Sequence, residues 1–105
     1  MMNILKQIFA SPSADIKDKV KAGAYLVDVR TPGEFKESHV LGSVNIPLDR
    51  VPAEISKFKN KTDIIVFCRS GNRSVQAKSI LEQHGINNVV NGGTWDYVNQ
   101  FVRNK

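Results

Sequence analysis

Two features of the sequence predict an α/β fold, a small parallel sheet of four to five strands with helices on both faces. Short runs of apolar and β-branched residues alternate with segments whose apolar residues recur every three to four positions, the patterns of strands and amphipathic helices. One run, Ile64–Phe67, is apolar throughout, which is typical of a strand buried on both faces in the middle of a parallel sheet. The alternation favours right-handed strand–helix–strand crossovers.

The first predicted elements lie between residues 13 and 35. A helix from Ser13 to about Ala22 has a serine cap and ends at Gly23. Tyr25–Val29 is predicted to be the first strand, because it is apolar until an aspartate near its end. Thr31–Glu34 is a capping box with proline at the first helical position, so a short helix begins there and buries Phe35.

The next segment predicts an edge strand followed by a helix. Ser43–Ile46 is a short strand that Pro47 ends, and proline is tolerated at a sheet edge. Pro52 suits the first turn of a helix. The core face of that helix is predicted from a spacing of four and three residues: Val51, Ile55 and Phe58.

After the central strand, the chain is predicted to form two more helices and one more strand. A helix runs from about Ser74 to His84 and stops at Gly85. Asn88–Asn91 is the last strand, Gly92–Gly93 a tight turn, and Thr94 the cap of a terminal helix.

Length and composition indicate one domain. A chain of 105 residues with 41% hydrophobic and 24% charged residues has room for a single core, so we expect one domain over residues 1–105. Residues 1–12 are predicted to be an N-terminal helical extension capped by Asn3, with its apolar side chains on the domain. A signal peptide is not predicted, because a basic segment is missing and Lys6 and Gln7 interrupt the apolar run.

The charge pattern limits the kinds of partner. The net charge is +5, but the basic residues are scattered without interleaved aromatic residues, so no nucleic-acid partner is predicted. No segment approaches the ~18 apolar residues of a membrane span, so no membrane association is expected. Cys68 is the only cysteine, which excludes an internal disulfide and suits a reducing compartment. We therefore expect a cytoplasmic monomer with small anionic ligands.

The single cysteine is the strongest candidate for chemistry, because it lies where the central strand turns into a helix. The free amides and the dipole of a helix N-terminus favour an anion in front of them, and Arg69 and Arg73 add positive charge. These groups lower the pKa of the Cys68 thiol and favour the nucleophilic thiolate. Gly71 and Asn72 tolerate positive φ, so the loop amides can turn inward as an anion-binding nest. A buried structural cysteine is the alternative.

Other polar residues are expected to be structural. Asp28 and Arg30 fall at the same carboxyl edge of the sheet as the cysteine, where an ion pair or loop anchor is favoured over a substrate contact. His39 is expected to be a hydrogen-bonded loop histidine instead of a catalytic base. His84 lies in the last turn of its helix and favours the dipole, and Trp95 is expected in the core.

Four segments of the chain resemble the family of single-domain rhodaneses, or thiosulfate sulfurtransferases. They cover nearly everything from residue 13 onward and occur in the order and spacing of that family. The segments are LVDVRTPGEF (Leu26–Phe35), HVLGSVNIPL (His39–Leu48), IIVFCRSGNRS (Ile64–Ser74) and NVVNGG (Asn88–Gly93). The resemblance implies a rhodanese-like fold in which the cysteine strand lies between the first and last strands.

The resemblance also implies an activity. Cys68 would be the catalytic residue, accepting a sulfane sulfur from thiosulfate or a related anionic donor and passing it from a persulfide to cyanide or to a small-molecule or protein thiol. The loop amides would hold the persulfide, and the side chains of Arg69 and Arg73 would hold the sulfonate. The implied substrate-binding residues are Arg69, Ser70, Gly71, Asn72, Arg73 and Ser74. No metal or organic cofactor is implied. This sulfur-relay hypothesis requires a thiol that faces the amides and is reachable from water.

Two other functions use a related fold. Phosphatases and arsenate reductases carry five residues between the cysteine and an arginine, whereas four separate Cys68 from Arg73 here. The shorter loop encloses a pocket suited to one sulfur atom and poorly to a phosphate. A non-catalytic binding or regulatory domain would have the same fold, but it would need neither the nucleophile nor the cationic loop.

Overall fold

Helices and strands alternate along the chain. The computed structural model describes residues 12–103, so the predicted N-terminal extension, except for its last residue, lies outside the described residues. In order, the elements are α1 (Pro12–Lys21), β1 (Tyr25–Asp28), α2 (Pro32–Glu37), β2 (Val44–Asn45), a 3₁₀ helix (Leu48–Phe58), β3 (Ile64–Cys68), α3 (Asn72–Gln83), β4 (Val89–Thr94) and α4 (Trp95–Arg103).

Within the described part, four parallel strands form one sheet in the order β2-β1-β3-β4. The strand that ends at Cys68 therefore lies between the first and last strands, and β2 lies at the edge, as predicted. Every residue of β3 is buried. In the register of β1 and β3, Asp28 lies beside Phe67, so the ends of the two strands meet at one edge of the sheet.

Both faces of the sheet are covered, which confirms the predicted α/β architecture. Because side chains alternate along each strand, β1 and β3 contribute to two separate clusters. One cluster joins the sheet to the 3₁₀ helix and α3, and it includes Val27, Val29, Val51, Phe58, Ile64, Val66, Cys68, Ala77 and Leu81. The other joins it to α1 and α4, and it includes Ile16, Val20, Leu26, Ile65, Phe67 and Val98.

The helix after the cysteine begins two residues earlier than predicted. Gly71 has a left-handed backbone with φ of 99° and precedes Asn72, the first helical residue. Arg73 therefore belongs to the first turn of α3 and not to the preceding loop. At the other end the stop at Gly85 is confirmed, since the glycine has a φ of 83° and the amide of the next residue donates back to the helix.

The Gly92–Gly93 pair does not form the predicted tight turn, and this prediction is wrong. Both glycines lie inside β4, where the register against β3 shifts by one residue, so that Gly92 is the extra residue of a β-bulge. An added Cβ at Gly92 would lie 2.7 Å from Val98 and 2.8 Å from Ile65. The glycine is required by this close approach of α4 and β3 to the strand.

Two helical predictions also need correction. The predicted burial of Phe35 is wrong: the residue is only half-buried, and no residue of α2 is buried. Its ring stacks on the His39 ring, with centroids 3.8 Å apart. The helix predicted around Pro52 is a 3₁₀ helix that begins four residues earlier, so the proline lies inside it. Val51 and Phe58 are buried, as expected of its core face.

Candidate active site

Cys68 is the last residue of β3, and three loop residues connect it to α3. The left-handed conformation of Gly71 turns its peptide back toward the strand, and its amide donates to the Cys68 Sγ at 3.0 Å. The N-terminus of α3 is thereby directed at the sulfur, as the sequence predicted.

The sulfur has hydrogen-bonding partners on several sides. The backbone amides of Ser70, Gly71 and Ser74 and the Ser74 hydroxyl interact with it. The Ser74 Oγ lies 3.7 Å from the sulfur and donates to the Gly71 carbonyl at 2.9 Å. Burial raises the pKa of the Cys68 thiol, but the contacts with Ser74, Gly71 and Ser70 together outweigh burial, so that the pKa lies below its ordinary value. The thiolate is therefore favoured.

The Cys68 thiol faces the amides but is not open to water. Its exposed fraction is 0%, and it belongs to the core cluster beneath α3. The expectation of a thiol reachable from water is therefore wrong for this conformation. The physical reason is that the peptides of the loop must lie against the sulfur in order to donate to it. Arg69 and Ser70, next in the chain, are exposed.

Arg69 of the loop and Arg73 of α3 occupy different environments. Arg69 is exposed and has no ion-pair partner in the described part of the chain. It lines a cleft of about 230 Å³ whose other lining residues are Arg30, Glu34, Glu37, Ser38 and Trp95. Arg73 is half-buried and lines a second cleft of about 310 Å³, with Val29, Thr31, Pro47, Leu48 and Asp49. Of these two arginines, only Arg69 has no ion-pair partner within residues 12–103, since Arg73 pairs with Glu34.

The Arg73 side chain is held by Glu34 of α2. Its Nη1 and Nη2 donate to the two carboxylate oxygens of Glu34 at 2.8 and 3.1 Å. The hydrogen bonds from Arg73, together with the amide of Thr31 in the confirmed capping box, lower the pKa of Glu34 to about 2. The structure pairs Arg73 with Glu34, whereas the implied role of the Arg69 and Arg73 side chains in holding a sulfonate stays a prediction. Nothing in the sequence indicated that Glu34 is the partner of Arg73, because the two residues are 39 positions apart.

The predicted ion pair at the end of β1 is confirmed. Asp28 and Arg30 are both buried, and two nitrogens of the guanidinium donate to the carboxylate, the shortest contact being 2.7 Å. Arg30 also donates to the Ser38 carbonyl at 2.7 Å, so the pair anchors the segment after α2. Its guanidinium lies 4.9 Å from the centre of the Trp95 ring. Trp95 is half-buried and lines the first cleft, so only part of it is in the core as predicted.

The two histidines take structural positions. The Nδ1 of His39 is 2.7 Å from the Phe35 carbonyl, and that of His84 is 2.8 Å from the Ile80 carbonyl. His39 is the hydrogen-bonded loop histidine that the sequence predicted. Across residues 12–103, histidine, cysteine and acidic side chains form no group of three or more that could hold a metal ion. None of the helices in this range has the length and apolar character needed to cross a membrane.

Comparison with known proteins identifies similar chains. The model of the rhodanese-like domain family matches residues 13–99. Thiosulfate sulfurtransferase PspE of Escherichia coli strain K12 is 40% identical over 76 residues, which make up 70% of this chain and 73% of that protein. A sulfurtransferase of Allochromatium vinosum is 36% identical over 66 residues, or 63% of this chain and 62% of the relative.

A similar structure has also been solved. A rhodanese with anions from Escherichia coli is 34% identical to this chain and aligns with a TM-score of 0.65. The alignment covers 71% of this chain and 91% of the solved chain. Sequence and structure comparisons therefore lead to the same family.

Proposed function

This chain belongs to the rhodanese-like domain family, and we propose that it is a sulfurtransferase that carries a sulfane sulfur on Cys68. The observation that carries the proposal is the set of amides directed at the Cys68 sulfur, together with a thiol pKa below its ordinary value. A non-catalytic domain would need neither feature. The relatives named sulfurtransferases support the same activity.

The reaction proceeds in two displacements at sulfur. The Cys68 thiolate attacks the outer sulfur of thiosulfate, the sulfur–sulfur bond of the donor breaks, and sulfite leaves with the electron pair. The product is a Cys68 persulfide with a new sulfur–sulfur bond. Cyanide or a thiolate then attacks the outer sulfur, and the electron pair of the broken bond returns to Cys68. Both steps conserve charge and need no redox cofactor.

The loop residues have separate roles in this mechanism. The amides of Ser70, Gly71 and Ser74 stabilise negative charge on the sulfur before and after transfer. Arg69, the exposed cation next to the nucleophile, binds the anionic end of the donor. The sulfur is covered in this conformation, so the proposal requires that the site open when the donor enters. The physiological acceptor in this proposal is a small-molecule or protein thiol in the cytoplasm.

The proposal is tested by following one sulfur atom. Purified wild-type protein is mixed with thiosulfate, and the intact mass is expected to increase by one sulfur. Cyanide is then expected to remove that sulfur and produce thiocyanate. The Cys68→Ser variant, folded as judged by circular dichroism, should neither gain mass nor produce thiocyanate.

Three other outcomes lead to different conclusions. A wild-type protein that gains no sulfur from thiosulfate or from a low-molecular-weight persulfide overturns the proposal. Loading without turnover by cyanide or thiols favours a sulfur carrier whose acceptor is a protein. Hydrolysis of an aryl phosphate that depends on Cys68 would instead favour the phosphatase alternative.

A further inference from the structure

The Glu34–Arg73 ion pair connects two segments that are distant in sequence, at the rim of the sulfur site. We infer that Glu34 is a positioning residue for the proposed sulfur transfer: through Arg73 it holds the first turn of α3, and with it Ser74, against the Cys68 sulfur. The same pair keeps the Arg73 guanidinium away from the donor, so that Arg69 alone binds the donor anion. This inference rests on the proposed function only for the identity of the donor.

The geometry of the pair is that of a clamp. Both carboxylate oxygens of Glu34 accept from Arg73, at 2.8 and 3.1 Å, and the two side chains are 23% and 30% exposed. Two parallel hydrogen bonds fix the orientation of a guanidinium as well as its distance. Both terminal nitrogens of Arg73 are used in this way.

Glu34 is itself held in place on α2. Its amide donates to the Thr31 hydroxyl oxygen at 3.2 Å, and its carboxylate accepts from the Thr31 amide at 3.0 Å. The clamp therefore joins the N-terminus of α2, which follows β1, to the N-terminus of α3, which follows β3. These two strands are neighbours in the sheet, so the clamp is anchored to the rigid part of the fold.

Arg73 is adjacent to Ser74, whose hydroxyl oxygen lies 3.7 Å from the Cys68 sulfur. The Ser74 amide and hydroxyl are the strongest of the hydrogen-bonding groups that lower the pKa of Cys68. Under this inference, loss of the ion pair lets the first turn of α3 shift and moves Ser74 relative to the sulfur. The charge of Arg73 also interacts with Cys68 and with Asp28, which places the guanidinium within electrostatic reach of the thiolate even though it is paired elsewhere.

The first experiment measures which arginine binds the donor. Thiosulfate binding is measured by calorimetry on a Cys68→Ser background, where no sulfur transfer occurs. We expect Arg69→Gln to weaken binding by about tenfold or more, as for loss of a charge-assisted contact. E34Q/R73Q should change it by less than about twofold, because the double variant removes no cation that is available to the donor and frees no carboxylate. Glu34→Gln frees a second cation and should tighten binding. Equal losses from R69Q and E34Q/R73Q would overturn the assignment.

The second experiment measures the positioning of Ser74 through the Cys68 pKa. Charged groups near the sulfur lie on four segments: Glu34 on α2, Arg69 in the loop, Arg73 on α3, and the Asp28–Arg30 pair at the end of β1. Glu34→Gln keeps the Arg73 cation and removes a negative charge, so the change of charge alone would lower the thiol pKa, whereas loss of the positioned Ser74 contacts would raise it. We expect Glu34→Gln to raise the thiol pKa, read from the ultraviolet absorbance of the thiolate, and to slow sulfur loading at neutral pH.

A matched control uses the other ion pair on the same helix. Lys78 and Glu82 of α3 are 3.7 Å apart, with side chains that are 37% and 46% exposed, so K78Q/E82Q should leave the thiol pKa and the loading rate unchanged. Arg73→Lys keeps a cation beside Glu34 and should retain a pKa closer to that of the wild type. An unchanged or lowered thiol pKa in E34Q, or an equal shift in the control, would overturn the clamp. Because this pKa is measured without turnover, the clamp and the sulfurtransferase activity can fail independently.

Discussion

At the active centre, one buried hydroxyl connects the nucleophile to the helix that follows it. Ser74 is 0% exposed, its hydroxyl donates to the Gly71 carbonyl at 2.9 Å, and its oxygen lies 3.7 Å from the sulfur. The hydroxyl can turn to donate to the sulfur when the thiol loses its proton, since its hydrogen is free to rotate. Ser74 can therefore accept a hydrogen bond from the neutral Cys68 thiol and donate one to the thiolate.

The first prediction concerns this hydroxyl. Ser74→Ala should raise the pKa of Cys68, because it removes one of the contacts that favour the thiolate. The rate of sulfur loading at neutral pH should fall by about threefold to tenfold, the value of one ordinary hydrogen bond. Stopped-flow loading with thiosulfate across pH measures both quantities.

Ser79→Ala is the matched control, because Ser79 is an exposed residue of the same helix. It should leave the pH profile unchanged. A profile of S74A that coincides with that of the wild type would contradict the role of the hydroxyl.

At the level of the elements, the β-bulge in β4 brings the terminal helix close to the central strand. Gly92 leaves room for Val98 of α4 and Ile65 of β3, and the register shift lies beside Val66 and Phe67, just before the cysteine. The bulge therefore shapes the packing beneath the end of β3.

The second prediction follows from the space around Gly92. Gly92→Ala should destabilise the fold by about 1–3 kcal/mol, the usual cost of overpacking, because the new methyl group meets two side chains and the Val66 carbonyl. Urea unfolding of the variant and the wild type measures this difference in the free energy of unfolding.

Gly33→Ala provides the comparison, since a Cβ there has nothing within 4 Å and the residue is helical. It should stabilise the protein slightly, by up to about 1 kcal/mol, because alanine has the higher helix propensity. If G92A were as stable as G33A, the close approach of α4 to β4 would be wrong.

At the level of the whole molecule, charge pairs hold the rim of the sheet together. The Asp28–Arg30 pair is buried at the end of β1, and the Glu34–Arg73 pair joins α2 to α3. A buried charge that loses its partner is far more costly than an exposed one, so these contacts act as anchors of the loops around the site. Among the described residues, no buried side-chain nitrogen or oxygen lacks a hydrogen-bond partner.

The third prediction is a pH dependence of stability. The folded pKa of Glu34 lies at about 2, below its ordinary value of 4.5. Because the pKa of Glu34 is lowered on folding, the stability that its ion pair contributes is fully present above about pH 4.5 and is lost as the pH falls toward 2. Urea unfolding of the wild type and Glu34→Gln should therefore differ by about 1 kcal/mol at neutral pH, the upper end for a partly exposed pair.

This difference should disappear on acidification, because protonated Glu34 and glutamine are both neutral. Glu82→Gln, which breaks the exposed pair of α3, should show a smaller difference at neutral pH. A gap between wild type and E34Q that stayed constant down to pH 2 would show that the lowered pKa is not the source of the stability.

The local features of the site are encoded in short stretches of the amino-acid sequence. The apolar run of β3, the capping box at Thr31–Glu34 and the stop of α3 at Gly85 all depend on neighbouring residues, and all three are confirmed. The position of Cys68 at the strand-to-helix junction follows from them. Backbone sterics and hydrogen bonds act over a few residues, so these features are predictable from the residues that form them.

The remaining features depend on contacts between distant parts of the chain. The partner of Arg73 is Glu34, which lies 39 residues away in the sequence. Gly92 is predicted in a turn, but it lies in a β-bulge beneath α4. The Cys68 thiol is covered because the loop folds over it. Local patterns specify which residues form strands, helices and caps, whereas the register of the sheet and the packing of its layers select the partner of each side chain and the access to the nucleophile.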